Sequence, residues 1–326
     1  MDFLVIIIFI LSAIGIYLSG EFVVNNIINF SRYIGLSPFI ISFFLMGVSS
    51  ALPNLFLGSG AAFKKIPELS LGDVFGNDFI NLTIVISLAV LFSKYKKIQV
   101  KNLFIKQSVI FMILAALAPL FLVADGILSR YDGLFLLSLF GFYIWWSFSR
   151  QNYLTEKIYY SSDYKPLRLA LKEWSAYASL LKIILGIIIL FLSAQGIIYS
   201  AKFFASILNL PLVIIGILIV GFGNSLPETY FAISSSRKGE TELIFGNMVG
   251  SVIAPATLVL GIVSIIFPIY INNFLFLEIN RILYLLVIFI LLWFILKKKE
   301  FNLYTAIILI GIYLLFLTSL KYIYFN

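Results

Sequence analysis

Long apolar stretches recur along the whole chain, and they constrain its fold more than any other feature. Stretches of 18 or more mainly apolar residues alternate with short polar connections from residue 3 to residue 321. A soluble domain could not cover this much apolar surface, because 62% of the residues are hydrophobic and only 12% are charged. The runs are continuous rather than alternating, which predicts membrane-spanning α-helices and not a β-barrel.

The hydropathy pattern predicts an all-α, polytopic membrane protein with ten transmembrane helices. One sizeable polar connection, 151–177, separates a first five-helix unit, 1–150, from a second, 178–326. The first span lacks a basic leader and a small-residue cleavage site, so we interpret it as a retained helix. The predicted helices are 2–29, 35–63, 70–93, 103–124, 131–150, 178–206, 211–236, 242–270, 277–296 and 301–321.

The distribution of basic residues predicts the orientation of these helices. Of the 23 lysines and arginines, 17 fall on the side of the central connection and six on the side of the termini. The positive-inside tendency therefore predicts a multi-pass plasma membrane protein with both termini outside and residues 151–177 in the cytoplasm. This distribution also explains the net charge of +8 without a nucleic-acid partner.

The absence of cysteine and histidine excludes several classes of function. Thiol nucleophiles, thiolate metal sites, histidine acid–base catalysis and histidine proton relays are all ruled out. An intramembrane enzyme would need a carboxylate pair or a Ser–Lys dyad, and neither occurs at helix depth. We therefore expect no enzyme and no resident cofactor.

The second half of the chain repeats the first at an offset of 174 residues, without a gap. Each unit has five helices, an odd number, so the second unit must insert upside down relative to the first. Inverted repeats of this kind place a substrate site where the two halves meet. The positions shared in order are Leu18-Ser19 with Leu192-Ser193, Ile40-Ile41 with Ile214-Ile215, Gly47 with Gly221, Leu52-Pro53 with Leu226-Pro227, Lys64 with Lys238, Glu68-Leu69 with Glu242-Leu243, Gly72 with Gly246, Gly76 with Gly250 and Thr83 with Thr257.

A proline lies inside helices 2 and 7 at equivalent repeat positions, Pro53 and Pro227, and each is followed by a polar residue. A proline removes one backbone donor and frees the carbonyl four residues earlier. A freed carbonyl at membrane depth requires a cavity or a ligand, and the nearby oxygens suit Na⁺ or Ca²⁺. A kinked helix packed against small neighbours is the alternative, but the paired positions favour an ion site.

These segments resemble the α-repeats of the cation/Ca²⁺ exchanger superfamily, specifically the prokaryotic sodium/calcium exchanger type. That family has G-x-S-x-P-E in helices 2 and 7 and G-N-x-x-G-S in the helices that follow. The second copy here reads Gly223-Asn224-Ser225-Leu226-Pro227-Glu228 and then Gly246-Asn247-Met248-Val249-Gly250-Ser251. The first copy reads Ser49-Ser50-Ala51-Leu52-Pro53-Asn54 and then Gly72-Asp73-Val74-Phe75-Gly76-Asn77.

The resemblance implies the fold, the cargo and the ligands of the ion. It implies an antiporter that moves Ca²⁺ against Na⁺ or H⁺ by alternating access, with helices 1 and 6 sliding over helices 2, 3, 7 and 8. Its partners would be inorganic cations and the lipid bilayer, and its oligomeric state stays open. The implied ligands are Glu228 and Asn54 at the centre, Ser50, Asn224 and Ser225 along the groove, and Asn77, Asn81 and Ser251 from helices 3 and 8.

Two departures from the family pattern remove ligands. The family's first glutamate is Asn54 here, and Pro255 stands where the second unit usually has an acid or amide. Glu228 alone would leave a bound Ca²⁺ with an uncompensated charge. Asp78, which shares a helix face with Asn81, could supply the missing charge or could serve as the partner of a neighbouring polar group.

Three other interpretations stay open at this stage. Asp73 and Asn247 follow glycines near predicted helix starts, where they could cap the helices or bind the ion. The single family carboxylate would suit a monovalent cation or a proton, so the cargo could be monovalent. The chain could also be a membrane protein that binds ions without transporting them.

Overall fold

The computed structural model describes residues 2–33, 51–94, 96–99, 103–159, 173–239, 241–271, 274–298 and 300–324. These described residues form helices, several of which contain a π-helical turn, and four short strands. In chain order the helices are α1 (Asp2–Tyr33), α2 (Ala51–Phe63), α3 (Glu68–Ile80, Asn81–Val85 and Ile86–Phe92), α4 (Leu103–Leu122), α5 (Arg130–Tyr159), α6 (Glu173–Leu208), α7 (Leu212–Ile215, Gly216–Gly221 and Phe222–Lys238), α8 (Thr241–Ile253, Ala254–Val259 and Leu260–Ile266), α9 (Phe274–Trp293 and Phe294–Lys298) and α10 (Leu303–Tyr324).

The structure confirms an all-helical membrane protein. Among the described residues, seven helices are long and apolar enough to cross a bilayer. Helices α1 and α6 pack against each other along their length, and their other faces expose large apolar side chains such as Leu11 and Leu192. Such a surface is stable in lipid and not in water, so these faces fit contact with the bilayer.

Several helix ends differ from the predicted ones, and three of them matter here. Helix α5 continues to Tyr159 and α6 begins at Glu173, so both described ends of the predicted connection 151–177 are helical. Hydropathy marks only the apolar part of a helix, while backbone hydrogen bonds extend it further. Helix α8 ends at Ile266, four residues before the predicted end, because Phe267 adopts an extended conformation. The predicted residues 35–50 of helix 2 lie outside the described residues.

Three of the core helices contain a wide, π-helical turn. These turns are Asn81–Val85 in α3, Gly216–Gly221 in α7 and Ala254–Val259 in α8. The turns in α3 and α8 occupy equivalent positions at the offset of 174 residues. We expected the irregular backbone of α7 at Pro227, but that proline lies inside the continuous helix Phe222–Lys238. The irregular turn comes just before this segment, and such turns are common at functional sites.

Helices α3 and α7 approach each other to backbone contact at the centre of the molecule. A Cβ atom at Gly76 of α3 would lie 2.5 Å from the carbonyl oxygen of Ile217, and one at Gly221 of α7 would lie 2.8 Å from the amide nitrogen of Asn77. Gly72 and Gly216 are equally close to backbone on the facing helix. Small residues permit this approach, as in other membrane helix pairs.

The packing partners of the two halves mirror each other at the same offset. Helix α2 packs on residues 254–266 of α8, and residues 222–238 of α7 pack on residues 81–92 of α3. Likewise α5 packs on residues 254–266 of α8, while α10 packs on residues 81–92 of α3. Each contact therefore has a counterpart with the two halves exchanged.

Two short antiparallel strand pairs join the halves, and hydropathy does not predict them. Strand β1 (Lys97–Gln99) pairs with β4 (Glu300–Asn302), and β2 (Ile127–Leu128) pairs with β3 (Ile269–Tyr270). A Lys97–Glu300 ion pair of 3.8 Å lies on the first of them. Each strand pair joins two connections that the charge distribution predicts on the same side of the membrane.

We expect Gly76→Ala to destabilise the protein by about 1–3 kcal/mol, because the new methyl group would collide with backbone that cannot move aside. The thermal unfolding midpoint of the purified protein in detergent would report the change. Gly141→Ala is the matched control, since a Cβ at Gly141 in α5 has no neighbour within 4 Å. Equal midpoints for the two variants would contradict the proposed close contact.

Candidate cation-binding site

A group of buried polar side chains joins α3 to α8 inside the apolar core. Asn77 and Asn81 lie one turn apart on α3 and so share a face. The Asn81 amide nitrogen donates to Ser251 Oγ of α8 at 3.3 Å and to Asn77 Oδ1 at 3.4 Å. The Asn77 amide reaches the Ser251 carbonyl at 3.5 Å. The structure therefore brings these three predicted ligands together.

The amide oxygen of Asn81 has no hydrogen-bond partner among the described residues, although Asn81 is 0% exposed. Its nitrogen is occupied on both sides, so the side chain cannot turn over without losing these contacts. A buried acceptor without a donor is costly, and it requires an explanation such as a ligand. An amide oxygen fixed in this way is a suitable ligand for a cation.

A second polar group joins α2, α3 and α7. The Asn224 amide nitrogen donates to Asn54 Oδ1 and to Asp73 Oδ1, both at 2.8 Å. Asn54 and Asn224 were predicted to line the ion site, and the structure places them in direct contact. Asp73 is the new member of this group, and it is 1% exposed.

The capping interpretation of Asp73 and Asn247 is wrong. Helix α3 begins at Glu68 and α8 begins at Thr241, so both residues lie beyond the first turn. A cap must lie where backbone amides are unpaired, which is not the case here. Ion binding by Asp73 stays a prediction, and one sequence signal favours it: Asp73 is an acid on the same helix face as Asn77 and Asn81, four residues apart at each step.

Glu228 lies on α7 directly after Pro227. Its Oε2 atom is buried and has no hydrogen-bond partner among the described residues. Asn224, whose amide donates to Asp73, lies one turn before Glu228 and shares its helix face. Two carboxylates on facing helices, α3 and α7, therefore lie beside the same asparagine.

Ser225 is buried on α7, and its hydroxyl donates to the Phe222 carbonyl at 2.8 Å. Thr229 makes the same kind of bond to the Ser225 carbonyl, also at 2.8 Å. Both hydroxyls therefore bond back to carbonyls of their own helix, and neither reaches the Gly223 carbonyl that Pro227 leaves without a donor. The oxygen of such a serine still has free lone pairs and can face a cation.

Asp78 is buried on α3, on the side of α9. Its Oδ1 atom has no hydrogen-bond partner among the described residues, and its charge acts on the Tyr284 hydroxyl. That hydroxyl donates to the Phe75 carbonyl at 2.5 Å. Asp78 also interacts electrostatically with Asp73.

Two further motif positions, Ser50 and Pro255, add no side-chain ligand atom among the described residues. Ser50 lies outside the described residues. Pro255 is buried in the π-helical turn of α8, where its side chain offers no ligand atom. In the part of the chain that the structure describes, no three acidic side chains form a group that could hold a metal ion. Amide and hydroxyl oxygens must therefore complete any cation site here.

The sodium/calcium exchanger protein family matches this chain over residues 4–149 and 178–321, which is most of its length. The chain belongs to the sodium/calcium exchanger family. Membership confirms the resemblance seen in the α-repeat motifs, and it places the chain among transporters rather than catalytic enzymes. The gap between the two matched ranges falls at the predicted connection 151–177.

Individual relatives support the same placement. A candidate antiporter, CaxA, from Alkalimonas amylolytica is 28% identical over 246 residues, which is 73% of this chain and 73% of CaxA. An uncharacterized membrane protein of Methanocaldococcus jannaschii is 25% identical over 316 residues, 96% of this chain and 97% of its own length. The solved structure of the sodium-calcium exchanger NCX_Mj soaked with Na⁺ and Sr²⁺ has a TM-score of 0.62 at 23% identity, covering 98% of this chain and 99% of that one. This likeness shows a shared fold.

We expect Asn81→Ala to weaken cation binding by roughly tenfold, because it removes a fixed ligand oxygen. Ser251→Ala should have a smaller effect, since it leaves that oxygen in place and removes only one acceptor of the Asn81 amide. Calorimetric titration of the purified protein with Ca²⁺ and, separately, with Na⁺ would measure both. An unchanged affinity in Asn81→Ala would show that its amide oxygen does not bind the ion.

Proposed function

We propose that this exchanger-family member is a secondary active antiporter that exchanges Na⁺ or H⁺ for Ca²⁺ by alternating access. The observation that carries the proposal is the set of buried oxygens without partners among the described residues. Glu228 Oε2, Asn81 Oδ1 and Asp78 Oδ1 are all of this kind. Unpaired acceptors inside a membrane protein are expensive, and a hard cation is the ligand that such oxygens prefer.

The proposed site lies between α2, α3, α7 and α8, where the two halves of the chain meet. Carboxylate, amide and hydroxyl oxygens from several helices can together replace the water around a cation. The proposed ligands are the predicted ones: Glu228, Asn54, Ser50, Asn224, Ser225, Asn77, Asn81, Asp78 and Ser251.

The proposal includes ten membrane spans arranged as two inverted five-helix repeats. The exchanged helix contacts, the equivalent π-helical turns of α3 and α8 and the two strand pairs between the halves all support it. An inverted repeat gives the site two similar environments, one for each side of the membrane. Alternating access then requires one group of helices to move over the other.

Helices α1 and α6 are the proposed moving group. They pack against each other along most of their length, and both lie outside the two strand pairs that join the other helices. Their exposed faces are apolar, so movement along the core would keep them in lipid. The core that they would cross consists of α2, α3, α7 and α8.

A monovalent cargo is the second candidate. Asn54 and Pro255 replace ligands that the family motifs supply, and Glu228 is the one glutamate left at the proline motifs. Affinity for Ca²⁺ follows the number of charged ligands, so a site with Glu228 alone would favour Na⁺, K⁺ or a proton.

Vesicles containing the purified protein should take up radiolabelled Ca²⁺ when a Na⁺ gradient is imposed. Glu228→Gln should reduce this uptake to the level of empty vesicles, because it removes the carboxylate while nearly preserving its shape. Asp125→Asn is the matched control, since this exposed acid accepts a hydrogen bond from the Ile127 amide far from the site. Gradient-independent uptake, or equal uptake by parent and Glu228→Gln, would contradict the proposal.

The chain contains no cysteine, so single cysteines can report its orientation in the cell. The charge distribution predicts that Arg130→Cys faces the outside and Lys238→Cys faces the cytoplasm. A membrane-impermeant maleimide added to intact cells should therefore label the first and reach the second only after the membrane is opened. The reverse pattern would place both termini in the cytoplasm.

A further inference from the structure

The chain has a buried acid, Asp73, at the motif position where the family pattern has asparagine. It lies on the face of α3 that also carries Asn77 and Asn81, and it is 1% exposed. Its Oδ1 atom accepts one hydrogen bond, from the Asn224 amide at 2.8 Å. Neither Asp73 nor Glu228 forms an ion pair with a lysine or arginine in the described part of the chain.

Asp73 adjoins the position of the lost family glutamate. The same Asn224 nitrogen that donates to Asp73 donates to Asn54 Oδ1, again at 2.8 Å. The oxygens of Asn54 and Asp73 therefore lie within twice that distance of each other. A carboxylate on α3 is consequently next to the point where the family carries one on α2.

The charge balance of the site points to a counter-ion. Asp73 accepts a hydrogen bond from Asn224, which lies one turn before Glu228 on α7, and neither acid has a basic partner among the described residues. Two neighbouring buried negative charges repel each other and are costly unless a bound cation or a proton neutralises them. The unpartnered oxygens of Glu228 and Asn81 independently indicate where such a cation would bind.

We propose that Asp73 is the second carboxylate of the cation site, moved from α2 to α3, and that the cargo is therefore a divalent cation. This inference rests on the proposed antiporter function and names its substrate class. Asp73 and Glu228 together balance a charge of two, and Asn54, Asn224 and Asn81 supply neutral oxygens. Asp78, on the side of Tyr284, is not required for this balance.

The decisive test moves the carboxylate from position 73 on α3 back to position 54 on α2, where the family pattern has it. Asp73→Asn keeps the oxygen that accepts from Asn224 and removes only the charge, and Asn54→Glu in the same chain restores a carboxylate on α2. We expect Asp73→Asn to lower Ca²⁺ affinity by at least about tenfold and the double variant to recover most of the loss. Calorimetric titration with Ca²⁺ alone and with Na⁺ alone measures the affinity of each variant for each ion.

The Na⁺ titration separates a ligand from a merely structural residue. Asp73→Asn should keep its Na⁺ affinity within about threefold, because Glu228 alone matches one positive charge. Asp125→Asn, the exposed control, should leave both affinities unchanged. Parallel loss of Ca²⁺ and Na⁺ binding, without recovery in the double variant, would make Asp73 a structural residue and overturn the inference.

Two further outcomes distinguish this inference from the function on which it rests. Unchanged Ca²⁺ affinity in Asp73→Asn, or a parent that transports Na⁺ and binds no Ca²⁺, would overturn the divalent assignment and leave a monovalent antiporter. A parent that moves no cation in the vesicle assay would instead overturn the antiporter itself, and the inference with it.

Discussion

The close backbone contact between α3 and α7 is the constraint on which the rest of the structure depends. Gly72 and Gly76 on one helix and Gly216 and Gly221 on the other leave no side chains between them. The helices can therefore approach until Asp73 of α3 and Asn224 of α7 form a direct hydrogen bond. In lipid, such packing replaces the hydrophobic effect as the force that holds helices together. The glycines thus permit the close approach that brings the polar side chains of the site together.

The π-helical turns of α3 and α8 lie next to the polar groups of the candidate site. The π-helical turn of α3 begins at Asn81, and that of α8 contains Pro255. A turn of this kind changes the direction of the side chains that follow it and loosens the backbone hydrogen bonds around it. Because the two turns occupy equivalent repeat positions, each half of the chain places an irregular turn beside the same polar site.

Most spans and much of the candidate site could be predicted from the sequence, because the apolar runs and the repeat are visible in it. Long apolar runs define the spans, and the repeat aligned Asn77 with Ser251, which do meet in the structure. Asp73 was harder to predict, because its role depends on a contact with Asn224, 151 residues away. The strand pairs were missed for a related reason. Strands of two or three residues, such as Ile127–Leu128, have no periodicity of their own and form only when distant connections meet.

The two strand pairs also bear on how the chain is assembled. Each pair takes one strand from residues 1–150 and one from 178–326, as does the contact between α3 and α7. Neither half can complete its own core, since the surfaces that would be buried belong to the other half. The contacts between the halves are therefore an interface that two separate fragments, 1–150 and 178–326, would also have available. We expect such fragments to associate in the membrane.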